Sequence, residues 1–294
     1  MDSAQTVSQS QPNFLGKWWP VLLGLLVLFL PTYITLANTT WHNDVYAHGP
    51  IILAVVLWQF WKKRMDIAEL PEKPSSVLGG STLLFGLLLY ILGRSQDILL
   101  FEVGSEILII TGTLLLLKGT QAIRIVWFPI LFLVFLIPLP SFMLDAMTGP
   151  LKQEISIIVD NLLYAMNYPI SRSGVLLSIG PYQLLIADAC SGLNSMYALS
   201  ALGILFVYLR GRATKLHNTL LLLSILPIAF LTNIVRVIVL VLVTYYQGDA
   251  AGASIHDIAA AMEFIIALIL LMAFDAVLIM SVFKKRNAEV EGHD

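Results

Sequence analysis

One cysteine in 294 residues excludes a disulfide within the chain. Charge is scarce as well. The 17 Lys+Arg and 19 Asp+Glu make up 12% of the residues, about half the share of an ordinary soluble domain. With 58% of residues apolar and a mean hydropathy of +0.84, a soluble globular protein is excluded. A net charge of −2 provides no basic face, so nucleic acid is not a partner. HExxH, GxSxG, P-loop and GxGxxG motifs are all missing, and no His/Cys set has zinc spacing. Common hydrolase, nucleotide and metal chemistries therefore have no foothold, and neither a cofactor nor a metal is expected. No internal repeat is evident.

What is present is apolar length. Eight runs, residues 18–37, 46–61, 77–93, 98–117, 122–139, 192–209, 219–245 and 257–283, read as membrane-spanning helices, since a span needs roughly 17–25 residues. The expectation is an all-α polytopic membrane protein. Its single domain covers 18–283, between a Ser/Gln-rich, disordered cytoplasmic leader (1–17) and a cytoplasmic tail (284–294). Basic residues set the orientation. With the N-terminus inside, thirteen of the seventeen fall in cytoplasmic segments, and Arg94, Lys152 and Arg172 fall outside. The positive-inside rule therefore places both termini in the cytoplasm. The remaining one, Arg236, falls within the seventh run.

Some fifty residues separate the fifth and sixth runs, on the outer side. From Pro150 to Asn167, Leu151, Ile155, Ile158, Leu162, Leu163 and Met166 recur at helical spacing, which predicts a helix lying on the membrane surface, the alternative being a ninth, re-entrant span. Residues 174–179 and 182–187 flank Gly180-Pro181 and predict a β-hairpin. It leads directly into Asp188-Ala189-Cys190-Ser191-Gly192-Leu193-Asn194.

Cys190 has two readings. A lone membrane cysteine is commonly a small buried hydrophobe. A thiol at the start of a helix, however, meets unsatisfied N–H groups and the positive end of the helix dipole, which favour the nucleophilic thiolate. Those N–H groups also suit an oxyanion if Ser191 and Gly192 open the helix, and both residues are small enough to admit a peptide. Arg236 lies about 17 residues, roughly 25 Å, along its run, in the outer leaflet, with Asn233 one turn earlier on the same face. An intramembrane arginine faces a protein or aqueous interior. It reads either as a salt bridge to Glu102, Glu106 or Glu263, as a cation snorkelling to the interface, or as part of a site. His256 opens the last run beside Ser254 and Asp257, which suit a helix N-terminus on structural grounds alone. His48 starts the second run, also outside. His217 receives no role. The charge-derived topology brings Cys190, Arg236 and His256 to one depth on one side. A thiol, a proton-transfer group and a cation are the components of acyl transfer.

These residues resemble the exosortases, relatives of the archaeosortases. The resemblance rests on Ala189-Cys190-Ser191-Gly192 entering one helix, Asn233-Ile-Val-Arg236 in the next, and a histidine heading the last. His48-Gly49-Pro50, Trp127-Phe128-Pro129, Ile137-Pro138-Leu139-Pro140 and the Gly174 hairpin add to it, over residues 40–285. The wording around Cys190 is nearest to the subtype called exosortase B. The resemblance implies a bacterial inner-membrane cysteine transpeptidase or peptidase with its site facing the periplasm. Its substrates would be exported proteins with a PEP-CTERM signal: a Pro-Glu-Pro motif, a transmembrane helix and a basic tail. It also implies Cys190 as nucleophile, His256 as general acid/base and Arg236 as substrate-orienting or oxyanion-stabilising cation. His48, Asn194, Asn233, Ser191 and Gly192 would support them. Archaeal relatives carry arginine where His256 stands, which leaves a charge-stabilising role open there. Many exosortases carry a basic residue where Asn194 stands. Expected partners are the sorting-signal helix and membrane lipid. The alternative is a transporter or an exopolysaccharide or lipid export component without thiol chemistry, against which the sequence shows no repeated halves or paired broken helices. A third is an intramembrane glutamate/histidine protease, whose paired-acid motif the sequence lacks.

Overall fold

The computed structural model describes residues 14–42, 46–185, 192–211 and 215–291. The chain divides into two compact units at Leu139/Pro140.

The first unit holds α1 (Phe14–Asn38), α2 (Gly49–Lys62), α3 (Arg64–Ala68), α4 (Ser76–Ser95), α5 (Leu99–Lys118), α6 (Thr120–Phe132) and a 3₁₀ turn (Leu133–Leu136). Helices α4 and α5 form a tight hairpin because glycine recurs every seven residues on α4. Gly79, Gly86 and Gly93 face Leu116, Ile109 and Glu102 of α5 so closely that a Cβ would strike α5 backbone or side chain. Small residues at heptad spacing let two membrane helices approach backbone to backbone. The outward face of α4 leaves Leu84, Phe85 and Leu88 exposed, as a membrane-facing surface does.

The fifth apolar run, expected to be one helix over 122–139, is broken. Val126 is non-helical (φ −109°, ψ 22°) and Pro129 lies inside α6. The chain then tightens to the 3₁₀ turn and becomes extended at Ile137. Pro129 cannot donate to the preceding turn, and Pro138 disfavours helical geometry at Ile137.

The second unit begins with α7 (Ser141–Ala165), which starts nine residues before the expected Pro150 and runs through it. Ile155, Val159 and Leu163 on α7 are fully buried at i, i+4, i+8. Of the stripe expected from the sequence, Ile155 and Leu163 are in this buried row, whereas Leu162 and Met166 are exposed and Val159 was not expected. The buried row packs against a sheet and against α9 (Lys215–Gln247). The sheet has three antiparallel strands rather than two: β1 (Ile170–Ser173), β2 (Leu176–Ile179) and β3 (Tyr182–Leu185). Ile170 and Tyr182 both stand opposite Ile179, in β1 and β3 respectively. Gly180, at φ +54°, takes the first central position of the two-residue turn ahead of Pro181, where a twisted hairpin favours glycine. Helices α8 (Gly192–Arg210), α10 (Asp249–Ser254) and α11 (His256–Glu291) complete the unit.

Among the described residues, five helices are long and apolar enough to cross a membrane: Trp18–Asn38 of α1, α4, α5, Leu216–Gln247 of α9 and Ala261–Met280 of α11. Three stretches are apolar but shorter: α2, Thr120–Leu136 and Tyr197–Arg210 of α8.

Candidate active site

In the second unit α8 packs on both α9 and α11, and α9 packs on α11. Their common base is a buried carboxylate. Asp275 of α11, with no solvent exposure, receives Arg210 Nη2 from the end of α8 and His217 Nε2 from the start of α9, each at 2.8 Å. Counting along each helix from this base, Gly192 lies 18 residues from Arg210, Arg236 19 residues from His217, and His256 19 residues from Asp275. At 1.5 Å per residue each distance is about 27–29 Å. The N-terminus of α8, the Arg236 turn of α9 and the N-terminus of α11 therefore belong to one end of the helix group. The sheet and α7 pack on α9 near that same end, where Tyr168 meets Tyr245 edge to face and shares a 3.0 Å hydroxyl contact with Tyr246.

Arg236 and its partner are the best defined elements of this end. The guanidinium is 4% exposed, and its Nη1 lies 3.2 Å from Glu263 Oε2 on α11, itself 1% exposed. Of the three glutamates considered from the sequence, Glu263 is the one that pairs with it. His256 and Glu263 stand seven residues apart, positions that share a helix face two turns apart. The pair thus sits about 10 Å along α11 from its first residue. Glu102 and Glu106 are engaged elsewhere. Thr32 and Arg94 donate to Glu102 Oε1 at 2.6 and 2.9 Å, and the Tyr33 hydroxyl donates to Glu106 Oε2 at 2.7 Å.

One turn before Arg236, Asn233 is fully buried, and neither its Oδ1 nor its Nδ2 has a hydrogen-bond partner among the described residues. A buried amide left unsatisfied costs about 1–3 kcal/mol. It is also a ready donor and acceptor for a peptide group.

The remaining expected residues are less fully placed. Cys190 and Ser191 lie outside the described residues. Gly192, the next residue along the chain, opens α8, and Asn194 is in its first turn. The side chains of Asn194 and His256 also lie outside the described residues. His48 stands in the first unit at the N-cap of α2, followed by Gly49-Pro50. Gly49 is required there because the Trp41 indole covers it and leaves no room for a Cβ. Among the described residues no set of three metal-ligating side chains converges.

The Asp275 base escaped sequence reasoning, although a signal existed. Asp275 is the only acidic residue between Glu263 and the basic Lys284-Lys285-Arg286, and an ionisable group inside a span needs a partner.

Apolar helices of spanning length grouped around a buried cation and an unsatisfied amide define a polytopic membrane protein with an internal polar site. The family model for transmembrane exosortases matches residues 40–273, and the chain belongs to that family. No curated protein and no solved structure matches it.

Proposed function

We propose that the chain is a membrane-embedded cysteine transpeptidase that cleaves C-terminal sorting signals of the PEP-CTERM type from exported proteins. Family membership supports a sorting-signal-processing membrane enzyme in general. The observation that carries the finer reading is the buried, unsatisfied Asn233 amide one turn from the Glu263-held Arg236, in the helix group whose α8 opens immediately after Cys190-Ser191.

In this reading the thiolate of Cys190 attacks the scissile carbonyl carbon, and the carbonyl electron pair moves onto oxygen. N–H groups at the start of α8 and the Arg236 guanidinium hold that oxyanion. The oxyanion collapses to a thioester as the C–N bond breaks. His256 delivers the proton to the departing amine, then removes one from the acceptor that attacks the thioester and regenerates the thiolate. Glu263 fixes the guanidinium and Asn233 pairs with the substrate backbone. Ser191, Gly192 and Asn194 shape the α8 entrance. The three shorter apolar helices join the five long ones as spans. That gives eight, with both termini cytoplasmic and the site facing the periplasm from the inner membrane.

The test is co-expression with a protein bearing such a signal. Cys190→Ala abolishes its processing while membrane insertion stays intact. Undiminished processing would end the thiol mechanism and favour an export component. A membrane-impermeant thiol reagent labels Cys190 in intact cells from which the outer barrier has been removed. Labelling only after lysis would reverse the topology.

A further inference from the structure

The first unit contains a groove of about 470 Å³ between α1 and α2, floored by α5. It exists because α1 leans on α3 and α5, while α2 packs on α6 and the 3₁₀ turn. Of its nineteen described lining residues only Arg64 is charged. Leucines of α1 and α2 form the walls. The two hydroxyls that reach it are already committed, Tyr33 to Glu106 at 2.7 Å and Thr113 to the Ile109 carbonyl at 2.7 Å.

The lining on α1 runs from Trp18 to Tyr33, about 22 Å of helix. The walls along that length are almost wholly apolar, which suits a methylene chain. The two ends differ in kind. At one end Trp18 and Trp61 flank Arg64, whose guanidinium stacks 4.1 Å over the Trp61 ring. Beside it Lys62 lies 5.4 Å over Trp58, and Lys63 leans to Asp66 at 3.4 Å. The stretch Lys62–Asp66 therefore carries a net formal charge of +2. Tryptophans with a basic cluster mark a membrane–water boundary that attracts anionic lipid. The other end offers only the glutamate-bound Tyr33 hydroxyl.

We propose that this groove binds an anionic phospholipid, one acyl chain lying between α1 and α2 and the phosphate held at Arg64. The site is independent of the peptidase reading, since it uses none of the residues assigned to that chemistry. Native mass spectrometry of the purified full-length protein tests it, with phosphatidylglycerol and phosphatidylcholine of identical chains offered in equal amounts. The wild type retains one phosphatidylglycerol at least fivefold over phosphatidylcholine. Arg64→Glu brings the two to parity. Leu26→Trp, which fills the groove and leaves the charge, loses the bound lipid. Both variants keep the wild-type melting temperature in phosphatidylcholine nanodiscs, and Arg64→Gln with an intermediate preference replaces Arg64→Glu if that variant does not. Equal retention by the wild type overturns the proposal, as does a preference that survives either substitution. A dimer that forms without bound lipid and is broken by Leu26→Trp overturns it too, by assigning the groove to a second copy.

Discussion

The two units bury acidic side chains in different ways. In the first, Glu102 and Glu106 stand one turn apart on α5 and are held chiefly by hydroxyls: Thr32 on Glu102, Tyr33 on Glu106, with Arg94 joining Glu102 from the end of α4. Tyr90 extends the network, sharing a 3.1 Å contact with Thr32 and donating to the Leu28 carbonyl. These bonds tie α1, α4 and α5 together. In the second unit the acids hold cations. Asp275 gathers Arg210 and His217, and Glu263 holds Arg236. Among the described residues, only there does a wholly unsatisfied amide, Asn233, lie beside the paired groups. A buried acid by itself does not mark a site, because both units have them. What separates a helix cross-link from a candidate reaction centre is a positioned cation next to an amide that the fold leaves without a partner.

Breaking the Arg236–Glu263 pair carries the largest expected effect. Arg236→Met removes the cation that pairs with a buried carboxylate, costs about 3–5 kcal/mol and abolishes signal processing. The double variant Arg236→Met with Glu263→Met recovers most of that stability, because an apolar pair can replace a buried ion pair, yet stays inactive. Recovery of processing in the double variant would reduce the pair to a structural bridge. In Arg236→Lys the loss of planar, bidentate geometry leaves processing at least tenfold below wild type.

Next in size is a break confined to the first unit. Gly93→Leu drives a side chain into the α5 backbone at Glu102. It should lower stability by about 1–3 kcal/mol in a thermal melt and leave processing per folded molecule unchanged. Asn233→Leu sharpens the contrast from the other side. Removing an unsatisfied amide holds or raises the melting temperature, while processing falls more than tenfold. A variant both less stable and fully active would make Asn233 a packing residue. The smallest effect belongs to Glu106→Gln. The amide oxygen still accepts from Tyr33, so the melt shifts by less than about 1 kcal/mol and processing stays within twofold.

Much of the fold was legible because hydrophobic length and helical spacing are local properties. All eight apolar runs contain helix, and Ile155 and Leu163 of the stripe expected on α7 are buried, although Leu162 and Met166 of that stripe are exposed. The break in α6 was also written locally, in Pro129 and Pro138, but the apolar count over 122–139 outweighed it. β1 escaped because Ile170-Ser-Arg-Ser carries no alternation of its own. It becomes a strand through its register with β2, a neighbour supplied by the fold. Of the candidate site only the order along the chain was legible: Gly192 opens α8, Arg236 lies within α9 and His256 opens α11, while Cys190 lies outside the described residues. Partner choice was not legible. Three glutamates suited Arg236 by depth, and only packing of α9 on α11 selects Glu263. Likewise nothing local linked Arg210 and His217 to Asp275.

The central claim is that Cys190 carries the substrate as a thioester at the end of the helix group marked by Arg236. The most direct measurement is mass spectrometry of the purified enzyme, acid-quenched during turnover of a signal-bearing protein. The account predicts a substrate peptide joined to Cys190 through a hydroxylamine-sensitive bond that is absent in Cys190→Ser. Active turnover with Cys190 unmodified at every quench time, together with substrate cleavage by Cys190→Ser at the wild-type rate, would contradict it.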